Sequence, residues 1–217
     1  MFLRGLDTSK IFGYGEDAFT FWALRHRKSE ILKQFNDKTP PSDCLAFYRP
    51  SFGRRGGGKS SEFGEFDAIL VSLENIYLIE SKWDNLSAFK EREIVIKPEQ
   101  KLRHHIFSWY VTHWDEKYGH DWKRFLKEQR NRFQKEFGKY KKTIPRNGTL
   151  LALNLQFVLS KLRKHCLKFS SPKNIKNILL FFCNKNESTT PALNAEEFDL
   201  ISIDYSKEIE GNFIELK

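Results

Sequence analysis

The stretch GEFDAILVSLENIYLIESK, residues 64–82, contains two apolar runs of the kind that form neighbouring β-strands. A short polar break at Glu74–Asn75 separates the runs and predicts a hairpin turn. Asp67 stands where the first run begins, and Glu80 and Lys82 stand where the second run ends. Because side chains alternate between the two faces of a strand, an even-numbered turn places all three on one face.

Two turn lengths produce this arrangement. A two-residue turn at Glu74–Asn75 places Asp67 opposite Lys82, whereas a four-residue turn at Ser72–Asn75 places Asp67 opposite Glu80. A three- or five-residue turn would separate these groups unless a bulge corrected the register. Two carboxylates and an ammonium group at the open end of a hairpin are what a hard divalent cation and a water nucleophile require.

Length and composition indicate a single packed domain with a polyanionic partner. The chain has 217 residues, of which 40% are hydrophobic and 20 are phenylalanine, so a sizeable core is expected. Its 37 Lys and Arg exceed its 28 Asp and Glu, which gives a net charge of +9. Such a surplus favours nucleic acid over a membrane surface as the partner.

The cysteine pattern predicts a cytoplasmic protein. Cys44, Cys166 and Cys183 stand far apart, which fits neither a disulfide framework nor a zinc site. They are expected to be buried thiols in a reducing compartment. The N-terminal residues lack the long apolar segment of a signal peptide, and the longest apolar run, 178–183, is too short to span a bilayer.

Apolar periodicity predicts a first helix over residues 15–34. Glu16 falls in its first turn, where the helix dipole favours an acid, so a purely structural role explains Glu16 when it is considered alone. Pro98 is expected to open a second helical region, which runs to about residue 140 with a break near Gly119.

The remaining segments complete an α/β or α+β fold with one mixed sheet flanked by helices. Residues 192–198 are predicted to form a helical turn. Strands are predicted at residues 45–48, 150–159, 175–183 and 200–205, with an edge strand at 213–216.

Two basic segments are candidates for contact with phosphates. The glycine-rich stretch 49–61 carries Arg54, Arg55 and Lys59, and its position directly before the hairpin favours this role over that of a surface loop. Residues 101–146 contain thirteen Lys and Arg against five Asp and Glu. A solvated helix face explains this second segment equally well. Its candidate DNA-binding residues are Arg124, Lys127 and Arg130.

Asp67, followed by Glu80-Ser81-Lys82 on the next strand, resembles the signature of the PD-(D/E)xK nuclease superfamily. That superfamily includes many restriction endonucleases, archaeal Holliday-junction resolvases and repair nucleases. The resemblance covers residues 13–105, and Phe66 stands where the family usually has proline. Glu16 matches an acid that several members carry on the first helix.

A second family feature is matched only in part. Some nucleases of this group carry a glutamine on the helix after the lysine, and Gln100 matches it. The tyrosine expected four residues later is replaced by His104.

The resemblance implies a restriction-endonuclease-like domain over residues 1–217 that hydrolyses DNA phosphodiesters with Mg²⁺, for which Mn²⁺ substitutes, and leaves 5′-phosphate ends. It implies that Asp67, Glu80 and the backbone carbonyl of Ser81 bind the metal, and that Glu16 holds a second ion or a metal-bound water. Lys82 would orient the attacking water or help to deprotonate it.

Three functions fit these expectations. The first is a type II restriction endonuclease, which cuts double-stranded DNA and, for a palindromic site, usually acts as a homodimer. The second is a structure-specific repair or recombination nuclease of the same superfamily. The third is a non-catalytic nucleic-acid-binding protein with a decayed or purely structural acidic cluster. For Glu80 and Lys82 alone, the structural alternative is an ion pair at the end of a strand.

Overall fold

A mixed five-stranded β-sheet forms the centre of the computed structural model, which describes residues 10–53, 60–84, 93–119, 121–166, 174–186 and 191–216. The two central neighbours are β6 (Ile76–Trp83) and β8 (Ile175–Cys183), which run parallel to each other. Beyond β8 lies β10 (Asp199–Asp204), also parallel. On the other side, β5 (Ala68–Val71) and β2 (Leu45–Tyr48) are antiparallel to their neighbours.

Helices cover both faces of this sheet. The helices α1 (Glu16–His26) and α2 (Lys28–Gln34) pack against the face that carries Leu70 and Ile79. The opposite face, which carries Ile69 and Leu78, shares one core with three longer helices. These are α3 (Pro98–His113), α4 (Trp122–Phe137) and α5 (Leu150–His165). Both faces are buried, so β5 and β6 are apolar along most of their length.

Short strands form three smaller sheets beside the main one. A three-stranded antiparallel sheet has β12 (Phe213–Glu215) at its centre, with β1 (Phe12–Gly13) and β11 (Ile209–Glu210) on either side. Antiparallel β3 (Ser51–Phe52) and β4 (Gly64–Glu65) lead into the hairpin. Parallel β7 (Glu93–Val95) and β9 (Ala192–Asn194) form the third.

A four-residue turn, Ser72–Asn75, connects β5 to β6. The Ser72 N–H donates to the Asn75 carbonyl at 2.9 Å. Asp37, from the segment after α2, fixes the turn by accepting hydrogen bonds from the Ser72 hydroxyl at 2.5 Å and the Asn75 side-chain amide at 2.8 Å. The length of the turn is therefore set by a residue distant in sequence.

The mixed α/β architecture and most elements agree with the sequence predictions. The strands at 45–48, 175–183 and 200–205 are confirmed, as is the helix that starts at Pro98. The predicted strand at 150–159 is wrong, because these residues belong to α5. Its buried residues follow helical spacing, and the Thr149 hydroxyl caps its first turn. They are Ala152, Leu155, Val158, Leu159 and Leu162.

Three further predictions need correction. The first helix is broken at Arg27, whose guanidinium binds Glu30 at 3.1 Å and Glu208 at 2.8 Å. Residues 192–194 form β9 by pairing with β7, instead of a helical turn. The C-terminal strand β12 pairs on both sides and is therefore not an edge strand.

Cys166 and Cys183 are buried thiols, whereas the thiol of Cys44 is partly exposed. Among the helices that the structure describes, none combines the length and apolar character needed to cross a bilayer.

Candidate functional site

The register of the hairpin brings Asp67 and Glu80 together. The ladder runs from Val71 opposite Ile76 to Ala68 opposite Ile79, and one further step places Asp67 opposite Glu80. Asp67 Oδ2 accepts a hydrogen bond from the Ser81 N–H at 2.7 Å. The four-residue alternative for the turn is thus correct and the two-residue alternative is wrong.

Glu80 is only 3% exposed and is held by three side chains of α3. Its Oε2 accepts hydrogen bonds from Gln100 Nε2 at 2.8 Å and from the Arg103 guanidinium at 3.1 Å. Its Oε1 lies 3.0 Å from His104 Nε2. These three residues occupy one face of the helix, because positions i, i+3 and i+4 are neighbours there.

Arg103 connects Glu80 to the strand before the hairpin. Besides Glu80, its guanidinium donates to the backbone carbonyl of Glu65 and lies over the Phe66 ring, 5.5 Å from the centroid. The carboxylate of Glu65 pairs with Arg49, away from Glu80. Arg103 was not predicted from the sequence. The available signal was the helical spacing of three polar residues, Gln100, Arg103 and His104, in a helix that packs on the sheet.

Glu16 and Lys82 meet at the end of β6. Lys82 Nζ lies 3.2 Å from Glu16 Oε2, and the two side chains are 41% and 35% exposed. The start of α1 is fixed to β6 by Thr20, whose hydroxyl contacts the Glu16 carbonyl and Ser81 Oγ, each at 2.8 Å. The structure therefore brings all four predicted residues, Glu16, Asp67, Glu80 and Lys82, to one end of the hairpin.

Burial and like charge perturb the acids of this site. Burial raises the pKa of Asp67 to about 7, and the charges of Glu80 and Glu16 add to the rise, while the Ser81 N–H and Lys82 oppose it. Burial also raises the pKa of Glu16, against the opposing charge of Lys82. Carboxyl groups with perturbed pKa values cluster at functional sites, which makes this end of the hairpin a candidate.

The carboxylate oxygens of Asp67 and Glu80 could bind a divalent cation, but they could not surround it completely. Asp67 Oδ1 accepts no hydrogen bond within the described residues, whereas Glu80 Oε2 already accepts two. Among the described residues, Glu80 Oε1 has one contact, with His104 Nε2, which leaves it a second lone-pair direction. No group of three His, Cys, Asp or Glu side chains in the described ranges could hold a metal ion. Asp67 and Glu80 by themselves would leave most positions around a cation to water, an arrangement that Mg²⁺ accepts.

The candidate DNA-binding residues differ in their surroundings. Arg54, Arg55 and Lys59 lie outside the described residues. Lys127 and Arg130 are exposed on one face of α4 and form no ion pair with the part of the chain that the structure describes. The remaining candidate on α4, Arg124, is exposed and pairs with Glu128 at 2.9 Å.

Comparison of the chain with known protein families, curated proteins and solved structures found no match.

Proposed function

We propose that the protein is a Mg²⁺-dependent endodeoxyribonuclease with a restriction-endonuclease-like fold. The single observation that carries this proposal is the pairing of Asp67 with Glu80 at the open end of the hairpin, with Lys82 two residues beyond Glu80 on the same strand. Paired carboxylates next to an ammonium group are the groups required for metal-assisted phosphodiester hydrolysis.

Each residue has a defined part in the proposed reaction. Asp67, Glu80 and the Ser81 carbonyl would hold Mg²⁺, which supplies Lewis-acid stabilisation of the phosphate and lowers the pKa of a bound water. Lys82 orients the attacking water and offsets the charge of the phosphate. Glu16 limits the position of the Lys82 ammonium through their ion pair. Gln100, Arg103 and His104 hold the Glu80 carboxylate in one orientation.

Digestion of a supercoiled plasmid tests the proposal. We expect the wild-type protein to nick or linearise the plasmid with Mg²⁺, to do so with Mn²⁺ in its place, and to stop when EDTA is added. Discrete fragments would support a type II restriction endonuclease that acts on double-stranded DNA, and a homodimer in solution would accompany a palindromic site. Binding without cleavage of either the plasmid or a branched DNA under every metal condition would contradict the proposal and favour a non-catalytic nucleic-acid-binding protein.

The exposed basic face of α4 gives a separate prediction about DNA affinity. Replacing both Lys127 and Arg130 by alanine should weaken DNA binding and reduce the slope of log affinity against log salt by about 2, because about one counterion is released per phosphate contact. Fluorescence anisotropy in EDTA over a series of salt concentrations measures this slope.

A matched control for that experiment is the double replacement of Lys33 and Lys38 by alanine. Both lysines are exposed and lie in the α2 region, against the opposite face of the main sheet from α4. The control removes the same charge, so an equal change of slope in both double variants would show that α4 has no particular role.

A further inference from the structure

Three exposed aromatic side chains lie on one face of the sheet formed by β1, β12 and β11. Phe12 lies opposite Glu215, and the same register places Tyr14 opposite Phe213. The exposed fractions are 40% for Phe12, 57% for Tyr14 and 47% for Phe213. Ile214, which points to the other face, is fully buried. We call Phe12, Tyr14 and Phe213 the aromatic platform.

The aromatic platform borders the candidate site. The Tyr14 ring lies 5.6 Å from the Phe213 ring and 5.4 Å from the Trp83 ring. Tyr14 precedes Glu16 by two residues, and Trp83 directly follows Lys82. The same two segments are thus joined twice, once by the Glu16–Lys82 ion pair and once by the Tyr14–Trp83 ring contact.

The rings of Tyr14 and Phe213 are held by their neighbours and are exposed at the same time. About half of each side chain remains open to solvent. Aromatic rings fixed on an exposed sheet face are the means by which many nucleic-acid-binding proteins stack unpaired bases. Bases inside an intact duplex do not offer their faces for such stacking.

The charges around the aromatic platform are compatible with a nucleic acid strand along one side. Glu215, on the same face, is paired with Lys10 at 3.3 Å, and Lys10 Nζ also lies 5.9 Å from the centroid of the Phe12 ring. Glu210 on β11 lies opposite Phe213 and is exposed, so it disfavours phosphate at the far side of the sheet. The favoured side is therefore the one next to Tyr14 and Lys82.

We propose that the aromatic platform stacks unpaired nucleobases, and that the substrate of the candidate site is DNA with an unpaired segment beside the scissile phosphate. This inference rests on the proposed nuclease function and narrows it. It favours a structure-specific repair or recombination nuclease over a restriction endonuclease, because the bases of a fully paired site cannot stack on the aromatic platform.

Binding of two fluorescein-labelled probes in EDTA tests the platform without any cleavage. The probes are oligo-dT and a blunt duplex of the same length. We expect Tyr14→Ala to weaken oligo-dT binding by roughly fivefold to a hundredfold and duplex binding by less than about twofold, the scale of one lost base–aromatic stack. Tyr14→Phe keeps the ring and should bind oligo-dT as the wild type does.

The control variant is Phe157→Ala, which removes an aromatic side chain of similar exposure, 58%, from α5. An unchanged affinity of Tyr14→Ala for oligo-dT, or an equal loss for both probes, would overturn the platform. Plasmid cleavage by the wild type would then still support the nuclease. Conversely, a wild type that binds oligo-dT through Tyr14 but cleaves no DNA would overturn the nuclease and retain the platform.

Discussion

Alanine at position 67 is expected to reduce Mg²⁺-dependent DNA cleavage by roughly a hundredfold to ten-thousandfold, the range for loss of a positioned acid–base or charge-stabilising group. Asp67 directs one carboxylate oxygen to the Ser81 N–H and leaves the other without a hydrogen bond from the described residues. Removing it deletes one of the two acids that face each other at the end of the hairpin. Initial rates of plasmid nicking at saturating Mg²⁺ measure the loss.

The same assay should give a loss of similar size for Lys82→Ala, whereas Lys82→Arg keeps a positive charge and should retain part of the activity. Asp199→Ala is the matched control, because Asp199 is an exposed acid at the start of β10 in the same sheet. If the wild type cleaves DNA and both Asp67→Ala and Lys82→Ala cleave it equally well, the site has been assigned to the wrong residues.

Stability measurements distinguish a catalytic role of Asp67 from a structural one. Because burial and neighbouring acids raise its pKa to about 7, its charge costs the folded state free energy. Loss of the acceptor for the buried Ser81 N–H opposes this gain, so we expect Asp67→Ala to keep a Tm close to that of the wild type while it loses activity.

Alanine at position 37 is expected to lower the free energy of unfolding by about 3 kcal/mol or more, because it leaves several buried donors without an acceptor and each costs about 1 to 3 kcal/mol. Asp37 is 7% exposed. Its carboxylate accepts hydrogen bonds from Ser72 and Asn75, from the Tyr77 hydroxyl at 2.7 Å and from the Thr39 N–H at 2.9 Å. Urea unfolding at neutral pH measures the change.

The pH dependence of the unfolding free energy tests the stabilising role of the Asp37 carboxylate. Burial of Asp37 would raise its pKa, but the hydrogen bonds from Ser72, Asn75 and Thr39 outweigh burial and lower the pKa from 3.8 to about 2. Since the folded pKa lies below the unfolded value, the stabilisation is fully present above about pH 4 and is lost as the pH falls towards 2. Asp37→Ala should lack this part of the acid destabilisation, and a profile identical to that of the wild type would exclude Asp37 as its source.

The hairpin could be predicted from sequence, but its register could not. Local patterns show two strands and a polar break, and turns of two and four residues satisfy them equally. The choice depends on Asp37, whose carboxylate binds both ends of the turn from 35 positions before Ser72. A contact of this kind has no local sequence signal.

The helix α5 shows a second reason why prediction from sequence failed. Every second residue from 151 to 159 is leucine or phenylalanine, which is the spacing of a β-strand. The apolar residues that are buried in α5 follow helical spacing instead. Tertiary packing selects the helical set for burial, so Leu153 and Phe157 remain 53% and 58% exposed. Both periods are present in the sequence, and only the neighbouring helices and sheet decide between them.

The meeting of Asp67, Glu80 and Lys82 at one end of the hairpin was predictable, because their spacing along two strands limits their geometry. Glu16 lies on α1 and was matched to them only through the family resemblance. The environment of Glu80 was only partly predictable. Gln100 matched a family glutamine and His104 stood only as a departure from the family pattern, while the convergence of both with Arg103 on one carboxylate depends on how α3 packs across the sheet.

The parallel pairing of β6 with β8 has a consequence for folding during synthesis. Ile76 pairs with Ile175, so the two strands are separated by 99 positions in the chain. At ribosomal rates, the edge of β6 that pairs with β8 waits roughly 5 to 20 seconds for its partner. An apolar strand with an unpaired edge is prone to associate with other chains. The nascent protein therefore passes through a period in which the strand bearing Glu80 and Lys82 is exposed to aggregation, and protection by a chaperone would matter most in that interval.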